Sequence, residues 1–210
     1  MITKDEITAA RIGRMGAEAV ALLAGAAVGI AGLGGLGSHM AVLLARMGVG
    51  RLVLADFDRV DLTNLHRQRY DLAHVGLLKT EAILSQLKAI DPYLSYEIHP
   101  CRITPENAPA IFGGCAVVCE AFDRPGEKAM LTETLLAACP AVKIVSGSGM
   151  AGTGSANAVQ TRRVMGRLYL CGDGITDVDT AGSLAASRVA VCAAHQAHMA
   201  LRLLLGQDEP

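Results

Sequence analysis

The chain has 210 residues, of which 51% are hydrophobic and only 3% aromatic, with no Trp and a formal net charge of −1. That length suits one large domain or a domain with a small extension, and its core must be built from Ala, Val, Leu and Ile, whose small side chains favour helices packed closely on a sheet. Interspersed charges near neutrality give no sign of an electrostatic nucleic-acid binder. The six cysteines, Cys101, Cys115, Cys119, Cys139, Cys171 and Cys192, include no Cys-x-x-Cys pair, so no structural zinc is expected.

The opening residues 1–6 are polar and carry no apolar targeting core, which points to a cytoplasmic protein with reduced thiols. Apolar residues Ile7, Ile12, Met15, Ala19, Leu22 and Leu23 predict an N-terminal helix over 5–25. Residues 19–45 contain no Asp, Glu, Lys or Arg, but six glycines divide them into helix, strand, turn and helix, and no membrane span is expected. Residues 27–31 read as a short buried strand, followed by Gly32-Leu-Gly-Gly-Leu-Gly37 and a helix to about Met47, ended by Gly48 and Gly50. A second strand, 51–55, delivers Asp56 at its carboxyl end.

A polar loop spans 58–71, and a helix over 77–90 stops at Asp91-Pro92. Residues 94–100 alternate like a half-exposed strand, 105–112 suggest a short helix, and 115–119 a buried strand leading into Glu120-Ala-Phe-Asp123. Helix 126–138 and strand 142–145 follow, then a hairpin over 157–164 and 167–171 with Gly166 in its turn. A loop over 172–182 precedes a last helix over 183–205. The expected architecture is a Rossmann-like α/β domain over 1–210. It has an N-terminal helix (1–26), a mostly parallel nucleotide-binding core (27–150), and an antiparallel hairpin with a final helix (151–210).

Strand, glycine turn, helix, strand and acid form the order of a βαβ nucleotide-binding unit. Gly32, Gly34, Gly35 and Gly37 let backbone approach a phosphate, and the helix N-terminus adds oriented N–H donors. Asp56, 24 residues after Gly32, sits where a carboxylate accepts bonds from ribose hydroxyls. Turn and acid alone suit NAD and ATP equally. The next segment distinguishes them, because Asp58, Asn64, Arg67 and Gln68 crowd the region where a redox enzyme needs a nicotinamide site. Arg67 offers a planar charged fork for phosphate oxygens, Lys79 a mobile point charge, and Asp123 one carboxylate for Mg2+, which prefers few carboxylates plus phosphates.

Gly32-Leu-Gly-Gly-Leu-Gly37, Asp56-Phe-Asp58, Asn64-Leu-His-Arg-Gln68, Val75-Gly-Leu-Leu-Lys79 and Glu120-Ala-Phe-Asp123 resemble the successive motifs of the ThiF/MoeB/HesA family. That family is similar to the adenylation domains of ubiquitin-activating enzymes, and the tail from Gly182 to Gly206 resembles its short zinc-less ThiF subfamily. The resemblance implies adenylation of the C-terminal Gly carboxylate of a ThiS-like sulfur carrier, with release of pyrophosphate, in thiamine thiazole synthesis. It places the triphosphate near Gly35, the ribose at Asp56, phosphates at Asn64, Arg67 and Gln68, the α-phosphate charge at Lys79 and Mg2+ at Asp123. It also implies a homodimer in which an Arg-x-x-Arg pair, here Arg11 and Arg14, sends Arg14 into the partner subunit's site. Alternatives left open are a molybdopterin-type carrier, a tRNA-modifying ATPase of the same superfamily, and an NAD-dependent oxidoreductase.

Three features depart from longer members of that family. The zinc site is missing, Arg124 stands where Asn commonly follows the acid, and no cysteine aligns with their sulfur-handling one. Cys171, beside a glycine-rich loop, is the candidate thiol. Cys192, His195 and His198 share the last helix, but i+6 rotates away from i, so a core or interface helix is the simpler reading. His39 and His66 are ordinary loop and helix residues within reach of a phosphate.

Overall fold

The computed structural model describes residues 2–210 of the chain. Two helices open it, α1 (Lys4–Met15) and α2 (Ala17–Ala24). The apolar spacing predicts one helix here; instead Gly16, at φ 85°, breaks it in a conformation that costs glycine little. Thr3 caps α1, and Glu6 reaches back to the Thr3 N–H, so two orphan donors are satisfied.

Strands and helices then alternate: β1 (Ala27–Ala31), α3 (Gly35–Met47), β2 (Arg51–Ala55), α4 (Lys79–Ile90), β3 (Ser95–His99), α5 (Ala108–Phe112), β4 (Val117–Glu120), α6 (Pro125–Ala138) and β5 (Lys143–Gly147). The chain closes with β6 (Gln160–Met165), β7 (Leu168–Gly172), α7 (Val178–Ala181) and α8 (Ala186–Leu204). One seven-stranded sheet results, in the order β3-β2-β1-β4-β5-β7-β6. Only β6 runs antiparallel, at one edge. The expected hairpin is therefore no appendage: β7 pairs parallel with β5 and extends the central sheet. Interior strands such as Leu52-Val-Leu are buried on both faces, which is why they read as unbroken apolar runs, whereas edge strand β3 alternates.

Each face of the sheet has its own core. One gathers α3, α4 and α8 around Met40, Leu44, Ile83, Leu87, Val189 and Met199. The other holds α5 and α6 through Phe112, Leu131 and Leu135. Gly29, at the centre of β1, makes room for the second: a Cβ there would lie 2.6 Å from Phe112 Cδ1. No helix among the described residues is long and apolar enough to cross a membrane.

A buried ion pair ties the C-terminal part together. Arg188 on α8 pairs with Asp173, their side chains 4% and 5% exposed, and donates to the carbonyls of Gly154 and Ser155. Burial by itself would raise the Asp173 carboxyl; hydrogen bonds from Thr176 and Ile175 and from Arg188 outweigh it and hold it at about 2. The folded pKa thus lies below the unfolded one of roughly 3.9. The pair's stabilisation is complete above that value and is lost as pH falls from about 4 to about 2. Asp173→Asn is expected to flatten the acid limb of stability in that window, read as urea midpoints from pH 5 downward.

Candidate functional site

The carboxyl ends of β1, β2 and β4 meet where strand order reverses between β1 and β4, the place at which open α/β sheets bind ligands. A cleft opens there, lined by Gly32, Gly34, Asp56, Asp58, Lys79 and Asp123 from the expected set. Gly32, at φ 90°, turns the chain out of β1. A side chain there would strike the Ala121 carbonyl at 2.9 Å, so the turn presses directly on the segment after β4. Gly37, in the first turn of α3, faces Gly32 even more closely, with space for no Cβ at all. Gly34, by contrast, has room for a Cβ, which would meet only Gln68 Nε2, at 3.9 Å.

Asp56 is anchored rather than free. Its Oδ2 accepts the Leu33 N–H at 2.6 Å and its Oδ1 the Asp58 N–H at 2.7 Å, so one carboxylate shapes both the glycine turn and the next loop. Burial raises its pKa, partly offset by Lys79, whose Nζ lies 3.9 Å away. Lys79 is buried at the start of α4 and donates to Asp58 Oδ2 at 2.7 Å. Asp58 is half exposed, so an anion entering the cleft could replace it at the ammonium.

Asn64, Arg67 and Gln68 do not line this cleft. They sit over the start of α3, on the other flank of the glycine turn, where Arg67 packs near Gly35 and Gln68 Nε2 near Gly34. Asn64 Oδ1 accepts from both, at 3.3 Å from Arg67 Nη2 and 2.8 Å from Gln68 Nε2. Gln68 Oε1 is buried without a partner among the described residues. His39, half-buried on α3, is held below its usual pKa by burial and by Arg69.

Beyond β2 and β3 the rim carries Phe57 with the Arg102 guanidinium 4.3 Å from its ring centroid, Arg102 being held by Glu127 at 2.6 Å. This platform escaped sequence reasoning, since nothing in the residues around 57 and 102 signals that β2 and β3 bring them together.

Asp123 and Arg124 are exposed at the rim of the cleft, and among the described residues their side chains make no hydrogen bond or ion pair. The segment carrying them is held from below by Glu120, which is fully buried at the end of β4. Glu120 Oε1 accepts the Phe122 N–H at 2.6 Å, and its Oε2 accepts the Ser146 hydroxyl. Lys128 Nζ lies 2.8 Å from Glu120 Oε2 and donates to the Phe122 carbonyl at 3.0 Å. Among the described residues no three His, Cys, Asp or Glu side chains group so as to hold a metal ion. A magnesium ion fits Asp123 only in the way that ion prefers, with one carboxylate and the remaining ligands from phosphate and water.

One expectation is corrected. Cys171 lies fully buried in β7, and burial pushes its thiol up to about 11; among the described cysteines only Cys101 is not buried, and it lines the cleft. Arg14 does not reach the cleft of its own chain but lies exposed on α1, in a groove shared with Arg46. Arg11 is structural. It pairs with Asp91 at 2.6 Å and donates to the carbonyls of Ala45 and Arg46 at the C-terminus of α3. Arg11→Ala is expected to cost about 3 kcal/mol by stranding the buried Asp91 carboxylate, whereas Arg14→Ala stays within about 0.5 kcal/mol; thermal unfolding separates the two. Cys192 points to the Cys171 carbonyl, His195 to Thr161 and His198 to solvent, so these three share no site.

A family model described as "ThiF family" matches residues 8–210. The chain belongs to the ThiF family. Among curated ThiF relatives, the adenylyltransferase and sulfurtransferase uba4 of Aspergillus terreus is 40% identical over 113 residues, 53% of this chain and 23% of the relative. The adenylyltransferase and sulfurtransferase MOCS3 of Anopheles gambiae is 35% identical over 142 residues, 66% of this chain and 31% of the relative. The chain thus spans under a third of the length of these two relatives. In fold it is similar to Escherichia coli tRNA N6-threonylcarbamoyladenosine dehydratase, TcdA, solved with AMP, at a TM-score of 0.86 and 23% identity over 99% of this chain and 98% of that one. E. coli MccB solved with ATP aligns at a TM-score of 0.68 and 23% identity, over 91% of this chain and 59% of that one.

Proposed function

We propose that this ThiF-family chain binds ATP in the cleft and adenylates the C-terminal Gly carboxylate of a ubiquitin-like sulfur carrier, releasing pyrophosphate. The observation that carries the reading is Lys79, a buried ammonium held between Asp56 and Asp58 beside an open glycine turn. A buried cation whose partner is half exposed is poised to exchange a carboxylate for a phosphate. Asp56 would hold the ribose, Phe57 and Arg102 would face the base, and the triphosphate would run along Gly34 and Gly35 toward Asn64, Arg67 and Gln68.

In the reaction, an oxygen of the carrier's carboxylate bonds to the α-phosphorus, and the bond to the pyrophosphate oxygen breaks. No general base is needed, because a C-terminal carboxylate is ionised at neutral pH. The barrier is crowded negative charge, and Lys79 and Arg67 lower it as fixed cations. Mg2+, when bound with the nucleotide at Asp123, would add further charge neutralisation. Arg124 would supply a cation where relatives of this type commonly have Asn, within reach of the incoming carboxylate.

The likeness to uba4 and MOCS3, each named an adenylyltransferase and sulfurtransferase, supports adenylation joined to sulfur chemistry. A ThiS-like carrier and a place in thiazole synthesis remain the specific reading, as does a homodimer in which Arg14 serves the second copy. The decisive assay is ATP–pyrophosphate exchange with carriers ending in Gly-Gly. Exchange that depends on one carrier identifies the partner, and no exchange with any of them sinks the proposal. The end-to-end likeness to TcdA favours one second reading, a tRNA-directed ATPase. ATP turnover stimulated by tRNA and by no carrier would establish it.

A further inference from the structure

The rim segment 121–124 has no regular secondary structure, yet it carries Asp123 and Arg124 and backs the glycine turn. Four side chains from four different elements converge beneath it. Glu120 ends β4, Ser146 lies in β5, Lys128 in α6 and Gln196 in α8. Besides the bonds of Glu120, Ser146 and Lys128, Gln196 Nε2 donates to the Glu120 carbonyl at 3.0 Å and to the Val145 carbonyl at 3.2 Å, joining the ends of β4 and β5. Gln196 is itself fully buried.

An ion pair with one fully buried partner, Glu120, and one partly exposed, Lys128, is weak evidence for stability, because apolar residues of similar volume commonly serve as well. What such a pair supplies is direction. Lys128 and Glu120 grip both the N–H and the carbonyl of Phe122, the residue before Asp123. Ala121 is at the same time in contact with Gly32. The network therefore sets the rim against the glycine turn as one unit.

We propose that Glu120, Lys128, Ser146 and Gln196 are positioning residues that aim the Asp123 carboxylate at a nucleotide-borne Mg2+ and hold the rim at its distance from the glycine turn. The inference rests on the nucleotide reading above. Its test is ATP affinity measured by calorimetry with and without Mg2+. The proteins are wild type, Lys128→Met, Lys128→Arg, Asp123→Ala and the Lys128→Met/Asp123→Ala double variant, with Ser146→Ala as the milder lesion should Lys128→Met not fold. Supporting partners of a metal ligand are worth about 10–100-fold in metal affinity. Lys128→Met is therefore expected to lose about tenfold of the Mg2+-dependent gain while metal-free affinity changes little, Lys128→Arg to recover part of it, and the double variant to be no worse than Asp123→Ala. An unchanged Mg2+-dependent gain in Lys128→Met, equal losses with and without metal, or losses that add in the double variant would each overturn the proposal. A wild-type chain that binds no ATP would instead bring down the nucleotide reading itself.

Discussion

Lys79→Ala is expected to lower carrier-dependent ATP–pyrophosphate exchange by about 10²–10³-fold, the loss typical of removing one preorganised charge-stabilising donor. The expectation follows from where the ammonium sits. It is the buried cation of the cleft, and no water can take its place at comparable strength in so enclosed a position. Its removal also leaves Asp56 buried beside Asp58 without the charge that now offsets burial, so the Asp56 carboxyl shifts further upward. The carboxylate that anchors the Leu33 N–H thus loses its neighbouring cation, and the glycine turn loosens with it. Lys79→Arg keeps the charge but not the compact shape, and recovery of no more than a small part of the activity is expected. Exchange within fivefold of wild type in Lys79→Ala would show that the ammonium is only structural.

Two glycines three positions apart in the same turn, Gly34 and Gly37, should fail in opposite ways. In Gly37→Ala the new methyl carbon would stand 1.8 Å from the Gly32 carbonyl oxygen and 2.8 Å from its carbon, both backbone atoms that no rotamer change can move. The helix must lift or the turn must shift, at about 3 kcal/mol, the upper end of ordinary overpacking. For a chain of this length that is roughly 6–12 °C in Tm. In Gly34→Ala the nearest atom to the new carbon is Gln68 Nε2 at 3.9 Å, so the fold is expected to keep its Tm within about 2 °C. Its methyl stands where a phosphate must approach, and ATP affinity is expected to fall by about tenfold or more. Calorimetric melting and ATP titration on the two variants would separate the roles, and a Gly34→Ala protein that binds ATP normally would remove the phosphate from that face of the turn.

Much of this arrangement is legible in the residues. The strands with Leu-Val-Leu and Val-Val-Cys at their centres, the glycine turn and the acid at the end of β2 are local features, written in apolar runs and punctuation. So are Asp58 and Lys79, which the chain brings together because the loop between them is closed by the Arg59–Leu78 bridge. The break at Gly16 was equally local but hidden, because an apolar stripe can continue across a glycine that the backbone uses to turn.

Other features depended on distance. Nothing near Cys171 in sequence announces that β7 joins the central sheet beside β5, and that placement alone buries the thiol. Arg11 and Arg14 are three residues apart and chemically identical, yet only one finds a buried carboxylate, supplied by Asp91 some 80 positions on. Periodicity and motif order by themselves determined the fold class, the family and the position of the glycine turn, because each is set by neighbours a few residues apart. Tertiary structure alone decided which charges are buried, how Glu120, Lys128, Ser146 and Gln196 converge beneath the segment carrying Asp123, and on which side of the turn Arg67 stands. Those outcomes depend on contacts between segments far apart in the chain, and burial and pairing exist only once the sheet has assembled.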